Sequence, residues 1–371
     1  MDILFICGSA QPGKDGVGDY TRQLCVNVIK YGHKAQILSL CDQQVKVFTV
    51  ENQTHSDTSV IVHRIPITTR NKNRLIWVQE ILKKFEPHWI SLQFVPYSFN
   101  PKGLPFWLPS FLKSIRGNQK WHIMFHELWI GLDQNDSYKT KFIGSLQKSL
   151  ILKILKIKEP LINTQTKLYQ AKLKSLGYNA PLLPLFSNIK NEVSVIDLNK
   201  NELELRFCIF GSIHYGAPVE KFINDLKLVL SSSKEKRALK FLFIGHCGHA
   251  LGEWKKILLE NKINFEITGF IEEEEISKLL SSCNYGISTT PYILNQKSGS
   301  LVAMFEHQLK VLCVARNWNV KGFKHGTFLN LVNYKNKESI NQLINQKFLF
   351  SNENNLEFVG SKFLNGLKER Y

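Results

Sequence analysis

Short apolar runs alternate with longer segments of helical periodicity along the first half of the chain. The runs that predict strands are DILFIC, KAQILSL, SVIVHRI, HWISLQFV, KWHIMFH and EPLINTQ. Segments such as NRLIWVQEILKKFE lie between them and carry apolar residues at helical spacing. Because strands that alternate with helices usually pair in parallel, this half predicts a parallel sheet with helices on both faces.

A second series of the same kind follows. Its predicted strands are LRFCIFGS, KFLFIGH, NFEITGF, NYGISTT and KVLCVA. Between the two series, SNIKNEVSVIDLNKNELE has neither period and predicts a linker. The sequence therefore predicts an α/β protein of two doubly wound, Rossmann-like domains. Their expected bounds are residues 1–187, a linker at 188–204, residues 205–345, and a C-terminal helix within 346–371 that can cross back to the first domain.

The first strand leads into GSAQPGKDGVGDY, which matches a P-loop up to Lys14 but has Asp15 where that loop needs Ser or Thr. A carboxylate there would face the phosphate, so we do not expect a P-loop. Gly16, Val17 and Gly18 stand at the helix entrance instead, and their backbone can approach an anion at the positive end of the helix dipole. The alternative is a plain strand-to-helix turn rich in glycine.

Polar and small residues stand at several predicted strand ends. They are His126, Glu127, Gly211, Ser212, Thr289 and Thr290. Ligands of doubly wound sheets bind beyond the carboxyl ends of the strands, so these residues are candidates for a site in the cleft between the domains.

The segment KSGS, residues 297–300, opens the apolar helix LVAMFEHQ. Amides of Ser298, Gly299 and Ser300 at a helix N-terminus, beside the positive charge of Lys297, suit a diphosphate. The alternative is an ordinary N-cap, since Ser caps many helices. An N-cap alone does not account for the positive charge of Lys297 beside the helix start.

The chain has a formal net charge of +17, which favours anionic partners such as lipid headgroups, nucleic acid or phosphorylated substrates. Nine lysines and a single acid lie between residues 139 and 174. There, IGSLQKSLILKILKIKEP mixes Leu and Ile with basic residues, as an interfacial helix would. The alternative is a solvated helix packed on its own domain. The lysines of this stretch are Lys148, Lys153, Lys156 and Lys158.

The remaining signals exclude several classes of protein. The seven cysteines are scattered without a CxxC pair, so they predict reduced core residues. HCGH at residues 246–249 lacks a second His or Cys cluster to complete four ligands, so we do not expect a zinc site there. No apolar stretch reaches the roughly 18 residues of a membrane span, and no basic leader precedes the first strand. The expected location is cytoplasmic, with peripheral attachment to the inner membrane face as an option.

Taken in order, these segments resemble family 4 of the retaining GT-B glycosyltransferases. The likeness rests on GVGDYTRQL and YGHKAQIL after the first strand, FHELW at a later strand end, ITGFIEEEEISKLLSSCNYGIST, and SGSLVAMFEHQLKVL. It spans almost the whole chain and implies a GT-B fold, in which two Rossmann-like domains face each other across a cleft.

The resemblance implies that a sugar passes from a nucleotide-diphosphate donor, held by the C-terminal domain, to an acceptor hydroxyl presented mainly by the N-terminal domain. It implies retention of configuration, no metal and no cofactor, since the nucleotide-diphosphate sugar is a substrate. It places the amides of Gly16–Gly18 on the donor phosphates and His126 on the transferred sugar. Charge grows on the departing diphosphate, so cationic and amide contacts are expected there. The predicted catalytic residues are His126 and Lys297; Gly211, Ser212 and Thr289 are candidates for the nucleotide.

The chain departs from the family at two glutamates, eight positions apart, that usually bracket the donor helix. Asn295 and Ala303 stand at those places. Glu306 lies on nearly the same helical face as Ala303 and is the candidate to reach the ribose instead. The chain also departs from the family after the first strand of the second domain, where basic residues are usual. There, GSIHYGAPVEKF offers only His214 and Lys221. Lys297 is the candidate for the missing charge.

Three functions stay open from the sequence, in this order. The first is a transferase acting on a lipid-linked or surface glycan, which uses the basic stretch. The second is a transferase that modifies nucleic acid, which uses the net charge instead, although no RNA or DNA motif is visible. The third is a non-catalytic nucleotide-sugar-binding homologue, which the missing glutamates permit.

Overall fold

The computed structural model describes residues 1–55, 57–157, 159–191, 204–232, 237–324, 326–351 and 353–369. The described residues form two compact units. The first unit comprises Met1–Pro184, Asn319–Phe323 and Asn355–Tyr371, and the second comprises Leu185–Trp318 and Lys324–Asn354. Most of the expected linker, residues 192–203, lies outside the described residues.

Seven strands form the sheet of the first unit. They are β1 (Asp2–Cys7), β2 (Lys34–Asp42), β3 (Thr49–His55), β4 (Thr58–Pro66), β5 (Trp89–Phe94), β6 (Lys120–Phe125) and β7 (Leu161–Thr164). Their order is β3-β4-β2-β1-β5-β6-β7, and every pair is parallel except the antiparallel β3 and β4. The six predicted strands are all present. β3 escaped prediction because TVENQTH contains no apolar run.

The helices of the first unit cover that sheet. They are α1 (Gly16–Lys30), α2 (Asn71–Phe85), α3 (Pro96–Phe99), α4 (Leu108–Ser114), α5 (Tyr138–Leu155) and α6 (Lys167–Lys174). The last helix of the chain, Leu356–Lys368, belongs to the same unit: the Phe363 ring lies 5.7 Å from that of Phe5 on β1. It also packs closely on α1, since a Cβ at Gly360 would overlap the Asn27 side chain.

The second unit contains a fully parallel sheet of six strands. They are β8 (Glu204–Phe210), β9 (Ala238–Ile244), β10 (Asn264–Ile267), β11 (Tyr285–Ser288), β12 (Lys310–Cys313) and β13 (Leu331–Asn333), in the order β10-β9-β8-β11-β12-β13. Its helices are α7 (Val219–Ser231), α8 (Leu251–Glu260), α9 (Glu273–Ser281), α10 (Gly299–Glu306) and α11 (Lys337–Asn345), so the chain's last helix is α12. Two apolar clusters cover its faces, one around Phe222 and Trp254 and the other around Leu280 and Met304. The prediction of two doubly wound α/β domains is confirmed.

Each sheet has one point where the strand order reverses. In the first unit this point lies between β1 and β5, and in the second between β8 and β11. Loops on the two sides of such a point diverge and leave a crevice at the carboxyl ends of the strands, which is where doubly wound folds bind ligands. The topology thus selects the loops that follow these four strands.

Candidate functional site

Three neighbouring strands of the second unit each lead into a glycine in the left-handed region. Gly211 follows β8 with φ 76°, Gly245 follows β9 with φ 84°, and Gly269 lies beyond β10 with φ 66°. The Gly211 amide donates to the Ile244 carbonyl at 2.9 Å, and Gly245 forms an antiparallel bridge with Gly269. Glycine suits this backbone conformation, and the missing side chains leave the backbone open to a ligand. We call these three residues the glycine row.

The N-terminus of α10 lies beside the glycine row. A Cβ on Gly211 would stand 2.7 Å from the Ser300 hydroxyl oxygen. Ser298 caps the helix, its hydroxyl oxygen accepting from the Leu301 amide at 3.3 Å, as the N-cap alternative predicts. Gly299 is exposed, and a Cβ there would have no atom within 4 Å. The space beside Gly299, the first residue of the helix, is therefore open.

A cluster of cationic side chains surrounds this helix start. Burial lowers the pKa of His214, and the charges of Lys297 and Arg316 lower it further. Lys297 and Arg316 therefore each lie near enough to His214 for their charges to act on its imidazole. A Cβ on Gly216 would stand 3.3 Å from the Arg316 Cβ, so this loop passes directly under the arginine. We call His214, Lys297 and Arg316 the cationic cluster.

Arg316 was not among the residues predicted from the sequence. The available signal was its place directly after the apolar run KVLCVA that contains β12, where strand-end residues meet the ligand crevice. Lys221, the other basic residue considered, has a different role. Its Nζ donates to the Lys335 carbonyl at 2.6 Å and pairs with Asp225, so it joins α7 to the segment after β13.

Thr289 and Ser212 flank the reversal point of the second sheet. Thr289 is buried, and its hydroxyl oxygen accepts from the His214 amide at 3.0 Å. That bond ties the loop after β8 to the end of β11. Ser212 is exposed beside Gly211. The structure thus brings Gly211, Ser212 and Thr289 to one edge.

The positions of the two missing family glutamates are buried. Asn295 is fully buried; its Oδ1 accepts from the Ser288 hydroxyl at 2.7 Å, and its Nδ2 donates to the Thr290 carbonyl at 2.9 Å. Ala303 lies in the core. Both residues therefore stabilise the fold around the site.

The structure does not bring Glu306 to the other nucleotide candidates. It is the last residue of α10, about 10 Å of helix rise beyond Gly299. The helix runs back from the carboxyl edge of the sheet, and Lys310, shortly after Glu306, pairs with Tyr285 at the start of β11. Glu306 therefore lies toward the amino ends of the strands. Sharing a helical face with Ala303 does not bring Glu306 to the site, because it lies on a later turn of the helix.

The N-terminus of α1, in the first unit, already holds a carboxylate. Asp15 caps the helix, its Oδ1 accepting from the Gly18 amide at 2.7 Å, and the Val17 amide also bonds to it. Burial raises the pKa of Asp15. A phosphate on the amides of Gly16, Val17 and Gly18 would have to displace this side chain.

Buried ion pairs hold the loop after β1 in place. The Ala10 amide donates to Asp42 Oδ2 at 3.2 Å, and its carbonyl accepts from Arg22 Nη2 at 2.9 Å. Asp42 in turn binds Arg64, with Nε to Oδ2 at 2.9 Å and Nη2 to Oδ1 at 3.0 Å. Burial alone would raise the pKa of Asp42, but the hydrogen bonds from Arg64 and from two backbone amides lower it. The acidic and basic side chains at this edge of the first sheet therefore neutralise one another.

His126 stands directly after β6, which is one strand away from the reversal point of the first sheet. It is buried, and its Nε2 lies 2.9 Å from Gln93 Oε1 on β5. Its ring meets the Tyr20 ring of α1 edge-on, with centroids 4.8 Å apart. The residues that fix the ring thus come from β5 and α1.

The basic stretch of α5 is divided between core and surface. Leu150, Ile151, Ile154 and Leu155 are buried, as the packed-helix alternative predicts. The exposed apolar side chains lie at the other end of the helix, where Tyr138 is 92% and Phe142 65% exposed. Lys158 lies outside the described residues.

Clusters of metal-ligating side chains and membrane-spanning helices are both absent from the described residues. They contain no group of three or more His, Cys, Asp or Glu side chains placed to hold a metal ion. No helix among them is long and apolar enough to cross a membrane. All seven cysteines are buried free thiols.

Solved structures share this fold over the whole chain. Sucrose-phosphate synthase from Thermosynechococcus elongatus matches with 13% identity and a TM-score of 0.61, covering 100% of this chain and 94% of the other. The lipopolysaccharide outer core galactosyltransferase WaaB matches with 11% identity and a TM-score of 0.61, covering 100% of both chains. UDP-GlcNAc 2-epimerase from Methanocaldococcus jannaschii matches with 11% identity and a TM-score of 0.56, again over 100% of both.

No protein-family model matches the sequence, and the comparison with curated proteins found no match. At these identities the structural likeness establishes the fold. The chain has the fold of the GT-B glycosyltransferases, as its sequence motifs predict.

Proposed function

We propose that the protein is a glycosyltransferase that moves a sugar from a nucleotide-diphosphate donor to an acceptor hydroxyl. The observation that carries the proposal is the cationic cluster at the N-terminus of α10, beside the glycine row. Positive side chains, helix amides and side-chain-free backbone meet there at the reversal point of a parallel sheet. This combination suits a nucleoside diphosphate.

The donor diphosphate is assigned to Lys297, Arg316 and the amides of Gly299 and Ser300. Negative charge grows on the diphosphate as the sugar leaves, so these groups stabilise the transition state more than the ground state. The nucleoside is assigned to the glycine row. Lys297 and Arg316 supply the positive charge that a metal supplies in other sugar transferases, so we propose transfer without a metal.

The transferred sugar is assigned to His126, following the family resemblance, with retention of configuration. The amides of Gly16, Val17 and Gly18 stay a weaker candidate for phosphate, because Asp15 occupies two of them. Glu306 is not included in the ribose site.

The acceptor is proposed to be a lipid-linked or surface glycan, reached at the inner face of a membrane. The supporting feature is the start of α5, where the exposed Tyr138 and Phe142 flank the exposed Lys139 and Lys141. Aromatic rings and lysines together suit an anionic lipid surface. We call these four residues the α5 surface.

Ligand binding and product analysis test the donor assignment. A ligand that binds only the folded state raises the melting temperature, so a panel of nucleotides and nucleotide sugars identifies the donor. Lys297→Ala and Arg316→Ala should reduce the shift, and Lys221→Ala, whose amine lies elsewhere, should not. EDTA should leave transfer unchanged.

Three outcomes would contradict the proposal. No shift with any nucleotide would favour a protein without a donor site. Binding without turnover would favour a non-catalytic homologue. Interconversion of the nucleotide sugar without an acceptor would favour an epimerase, a class that shares the fold.

Vesicle sedimentation tests the acceptor assignment. Replacing Lys139 and Lys141 by Gln should weaken binding to anionic vesicles by about 1 kcal/mol per lysine, and added salt should weaken it further. The same change at Lys153 and Lys156, exposed at the other end of α5, is the matched control and should have a smaller effect. Tight binding to duplex DNA or RNA without vesicle binding would instead favour a nucleic acid substrate.

A further inference from the structure

A chain of buried polar groups runs from His126 across three strands to the surface. His126 Nε2 lies 2.9 Å from Gln93 Oε1, and Gln93 Nε2 donates to Ser91 Oγ at 2.8 Å. Ser91 Oγ lies 2.8 Å from His122 Nδ1. His122 Nε2 lies 3.1 Å from Asn163 Oδ1, and Asn163 Nδ2 donates to the Pro181 carbonyl at 2.9 Å. Ser91, Gln93 and His122 are completely buried.

The direction of every hydrogen bond follows from the last one. A carbonyl oxygen can only accept, so the Pro181 carbonyl requires the NH2 group of Asn163 to face it and the Asn163 oxygen to face His122. His122 Nε2 must then carry a proton to donate. Burial lowers the pKa of His122 to about 4, so its ring is neutral near pH 7 and its Nδ1 is an acceptor.

The remaining two bonds are determined in turn. Because His122 Nδ1 accepts, the single hydroxyl proton of Ser91 points to it, and Ser91 Oγ accepts from the Gln93 NH2 group. Turning the Gln93 amide over would set its oxygen against Ser91, whose proton is already committed. The Gln93 oxygen therefore faces His126 and requires a proton on Nε2 of that ring.

We propose that Gln93, Ser91, His122 and Asn163 are positioning residues that fix His126 as the Nε2–H tautomer and make its Nδ1 the acceptor nitrogen. All five bonds donate in the same direction, so each polarises and strengthens the next. The Pro181 carbonyl, on the far side of β7, thereby decides which nitrogen of His126 bears the lone pair. The ligand class that matches such a nitrogen is a hydroxyl donor.

The inference rests on the proposed function only in identifying that donor as a sugar hydroxyl. An acceptor nitrogen can hold a hydroxyl of the transferred sugar without becoming charged itself. The tautomer is a property of the protein alone, so it is measurable without substrate.

Nitrogen NMR on the full-length protein, labelled with 15N at histidine, tests the tautomer directly. In a neutral imidazole the bare and the protonated nitrogens resonate far apart, and two-bond proton couplings tell which is which. His126 should show a protonated Nε2 above neutral pH. A protonated Nδ1, or an imidazolium, would overturn the inference. His126→Gln identifies the signals.

His307 provides an internal reference with the opposite tautomer. Its Nδ1 lies 2.7 Å from the Ala303 carbonyl and its Nε2 lies 2.8 Å from the Ser277 hydroxyl, so Nδ1 must donate. The same spectrum should therefore show His307 as the Nδ1–H tautomer and the buried His122 and His126 as Nε2–H tautomers.

Ser91→Ala separates positioning from simple packing. It does not touch His126, but it removes the group that holds the Gln93 amide in one orientation. Both tautomers of His126 should then become populated, and turnover should fall by a few-fold to about tenfold, as for one lost hydrogen bond, with unchanged nucleotide affinity. A single unchanged tautomer in a folded Ser91→Ala protein would refute the relay. If the wild-type tautomer is as stated but no transfer occurs, the relay stands and the proposed function fails.

Discussion

The two units begin a helix beside a glycine in the same way but treat the positive helix end in opposite ways. At α1 the cap is Asp15, a half-buried carboxylate that takes the amides of Val17 and Gly18. At α10 the cap is the neutral Ser298, and Lys297 and Arg316 add positive charge beside it. One helix end carries its own anion, and the other is arranged for an anion from solution.

The difference shows that a glycine-rich turn before a helix does not by itself define a phosphate site. The helix dipole is the same in both units, and the nearby charges decide whether it is already neutralised. The first unit neutralises its edge with Asp15, Asp42, Arg22 and Arg64. The second unit keeps net positive charge at the corresponding edge.

The largest expected effect is at the cationic cluster. In Lys297→Ala/Arg316→Ala, two charged hydrogen bonds to the diphosphate are lost, and nucleotide affinity should fall about 10²- to 10⁴-fold. Turnover should fall as well, because the same charges stabilise the leaving diphosphate. Isothermal titration with the nucleotide sugar that gives the largest thermal shift measures the affinity. Unchanged affinity would show that KSGS is only a helix cap, and that the N-termini of α1 and α10 do not differ in anion binding.

The next largest effect is expected at His126, where turnover should change and nucleotide affinity should not. His126→Ala should lower turnover about 10- to 100-fold while nucleotide affinity stays unchanged, because His126 is assigned to the sugar alone. It also leaves the buried Gln93 oxygen without its donor, which costs about 1–3 kcal/mol of unfolding free energy. Normal turnover by the folded fraction would mark His126 as a structural histidine.

A third change tests the glycine row. Gly211→Ala forces alanine to φ 76° and moves it against the Ser300 hydroxyl, so the free energy of unfolding should fall by about 1–2 kcal/mol. Gly299→Ala is the matched control, since a Cβ there meets no atom within 4 Å and the amide is kept. Urea unfolding compares the two. Equal stability of both variants would show that the close approach at Gly211 is not required.

The smallest effect is at the α1 cap. Asp15→Ala should lower stability by about 1 kcal/mol, and Asp15→Asn, which still caps, should not. Burial raises the folded pKa of Asp15 above its unfolded value, so the group stabilises the protein at low pH and this contribution is lost as the pH rises through the folded pKa. Asp15→Asn should remove that pH dependence, as chemical unfolding between pH 3 and 8 would reveal. If Asp15→Asn shows the same pH dependence of stability as the wild type, then burial does not raise the pKa of Asp15.

The sequence by itself determined the strands, the helices and the residues that stand at strand ends. These features follow from periodicity within windows of ten or so residues, which is local in the chain. Gly211, Thr289 and Lys297 were found in this way, as was the position of His126 after β6. The polar strand β3 was missed, because its pairing with β4 supplies the order that its own pattern does not.

Tertiary structure alone decided which of those residues act together. Arg316 joins Lys297 only because β12 lies beside β11, and Glu306 is separated from the same site only because α10 runs away from the sheet edge. The proton position on His126 depends on a carbonyl 55 residues away in the chain, at Pro181. Hydrogen bonds and charges act over a few ångströms, and strand order, which sequence periodicity does not encode, sets which groups come within that distance.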